Sequence, residues 1–108
     1  MENTILQLYK VIQERKENPQ EGSYTCYLFD QGLDKILKKV GEESAETIIA
    51  AKNDDLEALC GEICDLTYHV LVLCAQKNMP LEQLKDELDR RAMKIGNLKT
   101  MKKVDRNT

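Results

Sequence analysis

Two pairs of acidic residues have the spacing that most directly suggests chemistry. Glu43 and Glu46 are three residues apart, and so are Glu62 and Asp65. On a helix such pairs share a face with Cβ atoms about 5–6 Å apart, close enough for both carboxylates to bracket one divalent ion. Glu62, Asp65 and His69 fall on a stripe roughly 60° wide, and Lys39, Glu43, Glu46 and Ala50 form another of roughly 60°. Glu62 and Asp65 are the only carboxylates between Gly61 and Ala75, in a run that is otherwise largely apolar. A helix apolar on nearly all sides lies inside a bundle or at a subunit contact, where an unpaired carboxylate costs several kcal/mol. These acids therefore require a cation. Oxygen-only ligands select hard ions, and Mg²⁺ commonly joins a few carboxylates to substrate phosphates. A phosphate-handling Mg²⁺ site built from Glu43, Glu46, Glu62 and Asp65 is the expectation.

The basic residues agree with an anionic ligand. Lys35, Lys38 and Lys39 stand in the first turns of a helix, where the helix dipole disfavours cations. Each feature also has a purely structural reading. Glu-Glu-x-x-Glu alone occurs on many solvated helices, and Glu62 and Asp65 could pair with Lys or Arg from another helix. His69 reads as a hydrogen-bonded core histidine. Arg15 and Lys16 close a helix, where the dipole favours them with or without an anion.

The elements that must position these residues are helices. Ile5, Leu8 and Ile12 recur at helical spacing from Asn3 to Lys16, with Asn3 or Thr4 as the cap. The stretch from Glu17 to Leu33, with Pro19, Gly22, Gly32 and three aromatics, reads as a long functional loop. A second helix begins after Gly32, capped by Asp34, and runs to about Lys52. Asp54 and Glu57 form a capping box for a third, ending near Gln76, with Asn78 in its terminal turn. Pro80 opens a fourth, whose Leu81, Leu84 and Leu88 stripe is assigned to the core and which ends near Arg91 or Met93. The expected domain spans residues 1–93 as an all-α, four-helix unit, and residues 94–108 are a tail of unassigned role.

Length and composition bound the function. At 108 residues the chain supports one domain, with a homodimer expected because its helices carry so much apolar surface. A net charge of −3 argues against a nucleic-acid binder. The longest uninterrupted aliphatic or Cys run, Val70 to Ala75, is far short of the ~20 residues that span a bilayer. The amino end lacks a secretory pattern, and Cys26, Cys60, Cys64 and Cys74 read as reduced thiols of a cytoplasmic protein. Cys60 and Cys64 resemble half a soft-metal site with no second pair to complete it, and inert core packing is expected.

Assembled, these segments resemble the phosphoribosyl-ATP pyrophosphohydrolase family, within the all-α MazG-like superfamily of NTP pyrophosphohydrolases. The resemblance rests on Glu21-Gly22-Ser23-Tyr24-Thr25, on Lys39-Val40-Gly41-Glu42-Glu43-x-x-Glu46 and on Glu62-x-x-Asp65-Leu66-x-Tyr68-His69, and covers about Leu6 to Arg91. It implies a homodimeric helical enzyme that hydrolyses phosphoribosyl-ATP to phosphoribosyl-AMP and pyrophosphate with Mg²⁺, the second step of histidine biosynthesis. Carried over, Glu43, Glu46, Glu62 and Asp65 are the metal ligands. Glu42 ligates a second ion or orients the attacking water, and Lys39 contacts phosphate. Apart from any family assignment, Arg15, Ser23, Tyr24 and Thr25 are candidate substrate contacts on their own chemistry, the last three in a loop expected to close over the nucleotide. The fused phosphoribosyl-AMP cyclohydrolase of some relatives has no room in this length, so a separate polypeptide is expected to take the next step. Two alternatives are a house-cleaning NTP pyrophosphohydrolase and a non-catalytic helical dimerisation or metal-binding module.

Overall fold

A computed structural model describes residues 2–96, with side chains from Thr4 onward. It is all-helical, with no strand among the described residues: α1 (Glu2–Glu17), α2 (Tyr24–Gln31), α3 (Leu33–Lys52), α4 (Leu56–Gln76) and α5 (Leu81–Gly96). Five helices replace the four expected, because the segment read as a loop contains α2. Gly22 at φ +80° turns the chain into it, and the Ser23 Oγ accepts the Cys26 amide at 3.2 Å as its N-cap. Leu28, with none of its surface exposed, anchors it to the core. Gly32 at φ +94° ends it, donating its N–H to the Leu28 carbonyl at 3.0 Å. Eight residues rich in Tyr, Thr and Cys have little helix propensity of their own, so packing rather than local preference makes this helix.

α3 and α4 form the most extensive contact, folded back on each other by residues 53–55. Along α3 the buried positions are Ile36, Glu43 and Ala50, seven residues apart. That spacing keeps one seam against the neighbouring helix, so Glu43 occupies a position where an aliphatic residue would be expected. The apolar core lies at the carboxyl half of α4, where Leu71, Val72, Cys74 and Ala75 meet Tyr9 and Ile12 of α1, Leu28 of α2 and Ile36 of α3. Each fully buried aliphatic side chain there contributes about 1.5–3 kcal/mol. Lys16 closes this end by donating to the Ala75 carbonyl at 2.8 Å and to Asn78 Oδ1 at 2.9 Å. Asn78, at φ +58°, makes the left-handed turn out of α4, as expected for its residue type.

Several finer expectations change. Asp34 lies in the first turn of α3 rather than capping it; Gly32 is the N-cap, with no side-chain bond. Asp55, not Asp54, caps α4 by accepting the Ala58 amide at 3.1 Å, while Asp54 adopts φ +56° in the turn. Thr4 is inside α1, which begins at Glu2. No residue of α5 is buried: Leu88 and Met93 are exposed and Leu81 and Leu84 half-buried, because α5 lies against little of the rest. α5 extends to Gly96, and residues 97–108 of the expected tail lie outside the described residues. Cys60 and Cys64 are exposed rather than packed in the core. The surroundings of Glu62 and Asp65 are also more open than expected. Ile63 and Leu56 of α4 and Ile48 and Ile49 of α3 are all exposed apolar side chains. α4 is long and apolar enough, by composition alone, to cross a membrane. Its carboxyl half is packed against α1 and α3 in the core, and its amino half carries acids that face α3.

Candidate active site

The α3–α4 seam carries its acids beyond the apolar core, toward the amino half of α4. Carboxylate oxygens of Glu43, Glu62 and Asp65 all lie within 4.8 Å of one another. Glu43 is the floor, only 6% exposed, Glu62 is half-buried and Asp65 is open to solvent at the rim. Glu43 Oε2 and Glu62 Oε1 are sealed from solvent and have no hydrogen-bond partner. Burial, the neighbouring Glu46 and the charge of Asp65 push the Glu43 carboxyl up to about 7, against the opposing pull of Lys39. Burial, then Glu46 and Asp65, likewise raise Glu62. Glu46 is exposed as a residue, yet its charge acts on both Glu43 and Glu62. Of the four acids predicted as one set, Glu43, Glu62 and Asp65 are brought together within 4.8 Å, and Glu46 lies near enough to Glu43 and Glu62 to raise both.

The donor set fits a hard dication. Every candidate ligand is a carboxylate oxygen, two of them lack any other partner, and the nearest ammonium, Lys39, stands 3.7 Å from Glu43. Lys39 is 3.4 Å from the exposed Glu42. Burial acts to lower the Lys39 pKa, but the bond to Glu42 and the proximity of Tyr24, Glu42 and Glu43 outweigh it and hold the ammonium above its ordinary range. Glu42 thus lies beside Lys39 on the outer edge of the cluster.

The other predicted contacts are more scattered. Arg15 pairs with its neighbour Glu14 at 2.6 Å at the end of α1, and its carbonyl accepts the Cys26 thiol. No contact links it to the acids. The Ser23 hydroxyl is the cap of α2, and that of Thr25 shares a hydrogen bond with the Tyr68 hydroxyl. Tyr24, 46% exposed, stacks near Tyr27 and Tyr68, with centroids at 6.0 and 6.2 Å, and its hydroxyl is 3.0 Å from His69 Nε2. The α2 segment thus docks on α4 beside the acids through Tyr68 and His69, a link that spacing within either segment could not reveal. The quoted Tyr68-His69 pair was its only trace in the sequence. A hollow of about 710 Å³ between Tyr9, Lys16, Asn78 and Pro80 lies at the opposite end of α4.

Comparison with known proteins matches residues 5–92 to the phosphoribosyl-ATP pyrophosphohydrolase family. A phosphoribosyl-ATP pyrophosphatase of Clostridium botulinum (strain Kyoto / Type A2) is 57% identical over 102 residues, which cover 94% of this chain and 93% of the relative. Proteins of the same name from Clostridium acetobutylicum and Listeria welshimeri are 59% and 56% identical over 98 residues each. These matches cover 90% and 91% of this chain and 89% and 94% of the respective relatives. The matched span contains both acid-bearing helices and the α2 segment, and the chain belongs to the phosphoribosyl-ATP pyrophosphohydrolase family.

Proposed function

We propose that this protein hydrolyses phosphoribosyl-ATP to phosphoribosyl-AMP and pyrophosphate, the second step of histidine biosynthesis, with Mg²⁺ held by Glu43, Glu46, Glu62 and Asp65. The observation that carries the reading is the pair of buried, partnerless oxygens on Glu43 and Glu62 within an all-carboxylate cluster. Buried acceptors are ordinarily satisfied, and two left without partners on neighbouring carboxylates call for a shared cation. When bound there, Mg²⁺ neutralises phosphate charge, lowers the pKa of a coordinated water and stabilises departing pyrophosphate.

The chain's own residues do the rest. Lys39, fully charged and half-buried, can exchange its Glu42 partner for a substrate phosphate. Released from Lys39, its partner at 3.4 Å, the Glu42 carboxylate would orient the attacking water and take its proton. Water adds across the anhydride between the α- and β-phosphoryl groups, the P–O bond breaks, and the departing oxygen leaves with pyrophosphate. Tyr24 and the first turn of α2 cover the nucleotide.

Apolar exposure supports a homodimer: Ile48 and Ile49 of α3 and Leu56 and Ile63 of α4 are exposed on the two acid-bearing helices, and a second copy would cover them. The protein would act in the cytoplasm, without nucleic acid or membrane, on a small-molecule nucleotide, and a separate phosphoribosyl-AMP cyclohydrolase would consume its product. Parallel turnover assays with phosphoribosyl-ATP and a panel of ordinary nucleoside triphosphates test the substrate. Preference for phosphoribosyl-ATP is expected; faster turnover of ordinary triphosphates would favour a house-cleaning pyrophosphohydrolase.

A further inference from the structure

His69 is buried to 5% exposure in α4, yet both ring nitrogens are engaged across element boundaries or turns. Nδ1 lies 2.7 Å from the backbone carbonyl oxygen of Asp65, and Nε2 lies 3.0 Å from the Tyr24 hydroxyl. A carbonyl can only accept, so Nδ1 carries the proton; in the neutral ring Nε2 then accepts from Tyr24. The imidazole also stands edge-on to the rings of Tyr24 and Tyr68, at 5.8 and 4.9 Å. One residue along each helix the tie is repeated, through Thr25 and Tyr68. Consecutive residues of the first turn of α2 are thereby fastened to consecutive residues of α4.

Asp65 is at once the residue whose backbone His69 holds and a carboxylate of the acid cluster. Tyr24 is close enough to Lys39 to influence its charge. With its proton committed to His69, the Tyr24 hydroxyl is left as an acceptor, suited to a sugar hydroxyl or an ammonium.

We propose that His69 is a positioning residue that holds Tyr24 by Nε2 and the Asp65 backbone by Nδ1, fixing the amino end of α2 over the acid cluster so that a bound nucleotide meets Tyr24 in one pose. The identity of that nucleotide rests on the hydrolysis reading above; the link between the helices does not.

Tyr24→Phe, His69→Asn, the double variant and His69→Gln test it. Asn keeps an amide donor near the position of Nδ1 and loses the link to Tyr24, whereas Gln keeps an acceptor near Nε2. Loss of one such hydrogen bond should raise opening of the α2 amino end about three- to tenfold, read as faster amide exchange at residues 24–28. The same factor is expected in Tyr24→Phe, His69→Asn and the double variant, with His69→Gln close to wild type. In pyrophosphate release from phosphoribosyl-ATP the same variants should raise KM by a similar factor and leave kcat within about twofold. Effects that multiply in the double variant, unchanged exchange in both single variants, or a fall in kcat at constant KM would overturn the proposal. Should His69→Asn fail to fold, Tyr24→Phe, at a half-exposed residue, decides. If the wild-type protein does not release pyrophosphate, the substrate reading fails, and the exchange pattern alone settles the role of His69.

Discussion

Glu43 on α3 and Glu62 on α4 bring carboxylate oxygens within 4.8 Å of each other, and each carries one oxygen that is sealed from solvent and has no hydrogen-bond partner. Helix packing normally excludes that arrangement, since like charges in a low dielectric raise each other's energy. The fold tolerates it because the core that stabilises the chain lies elsewhere, around Val72, Leu28 and Ile36. Stability and chemistry thus occupy different halves of α4.

Neutralising the cluster should separate the two. Glu43→Gln and Asp65→Asn are expected to lower kcat by about 10²–10³, the order found when one preorganised charge-stabilising group is removed. In chelator the same variants should melt at or above the wild-type temperature, because a repelling charge has been removed. Severe destabilisation in chelator would mean that these acids are held by structural ion pairs instead.

The raised pKa of Glu43 gives a pH dependence whose sign is fixed. The unfolded carboxyl titrates near 4.5 and the folded one at about 7, so between these values the native state binds more protons. Its contribution to stability is present below about 4.5 and is lost as pH rises through 7. Thermal melts of metal-free protein from pH 5 to pH 8 should therefore show a falling component that vanishes in Glu43→Gln. Added Mg²⁺ should stabilise the protein more at pH 8 than at pH 5.

Both acid pairs were legible because three-residue spacing on a helix translates directly into a shared face. The stripe of Lys39, Glu43, Glu46 and Ala50 adjoins the apolar arc of Ile36, Leu37, Val40 and Ile48, which places Glu43 at the border of the core but not as the floor of the cluster. The α2 helix was not legible: Tyr24 to Gln31 is too short for periodicity to register, and its stability comes from Leu28 reaching a core assembled by distant segments. The amphipathic stripe of α5 misled for the opposite reason. Leu81, Leu84 and Leu88 have the spacing of a core face, but spacing cannot say whether the chain itself supplies the opposing surface.

Ser23 offers a test of whether its hydroxyl serves the helix or the substrate. As the cap of α2 it should tolerate replacement by Asn, another favoured capping residue, while Ser23→Ala should destabilise α2 by about 1 kcal/mol and raise KM. Equal loss of activity in Ser23→Asn and Ser23→Ala would instead place the hydroxyl on the substrate.

The exposure of Ile48, Ile49, Leu56 and Ile63 makes a prediction about assembly. Ile49→Asp should convert a dimer to monomer in sedimentation experiments, since a charge at the centre of an apolar contact must be desolvated on association. An unchanged sedimentation coefficient would place the dimer contact on another surface.

Pyrophosphate release from phosphoribosyl-ATP, followed at increasing Mg²⁺ for wild-type protein and for Glu43→Gln, bears most directly on the convergence of α3 and α4 acids around one ion. The wild type should be inactive in chelator and saturate with Mg²⁺, and the variant should need substantially more metal and stay far slower. Full turnover in chelator, or an unaltered Mg²⁺ response in the variant, would contradict it.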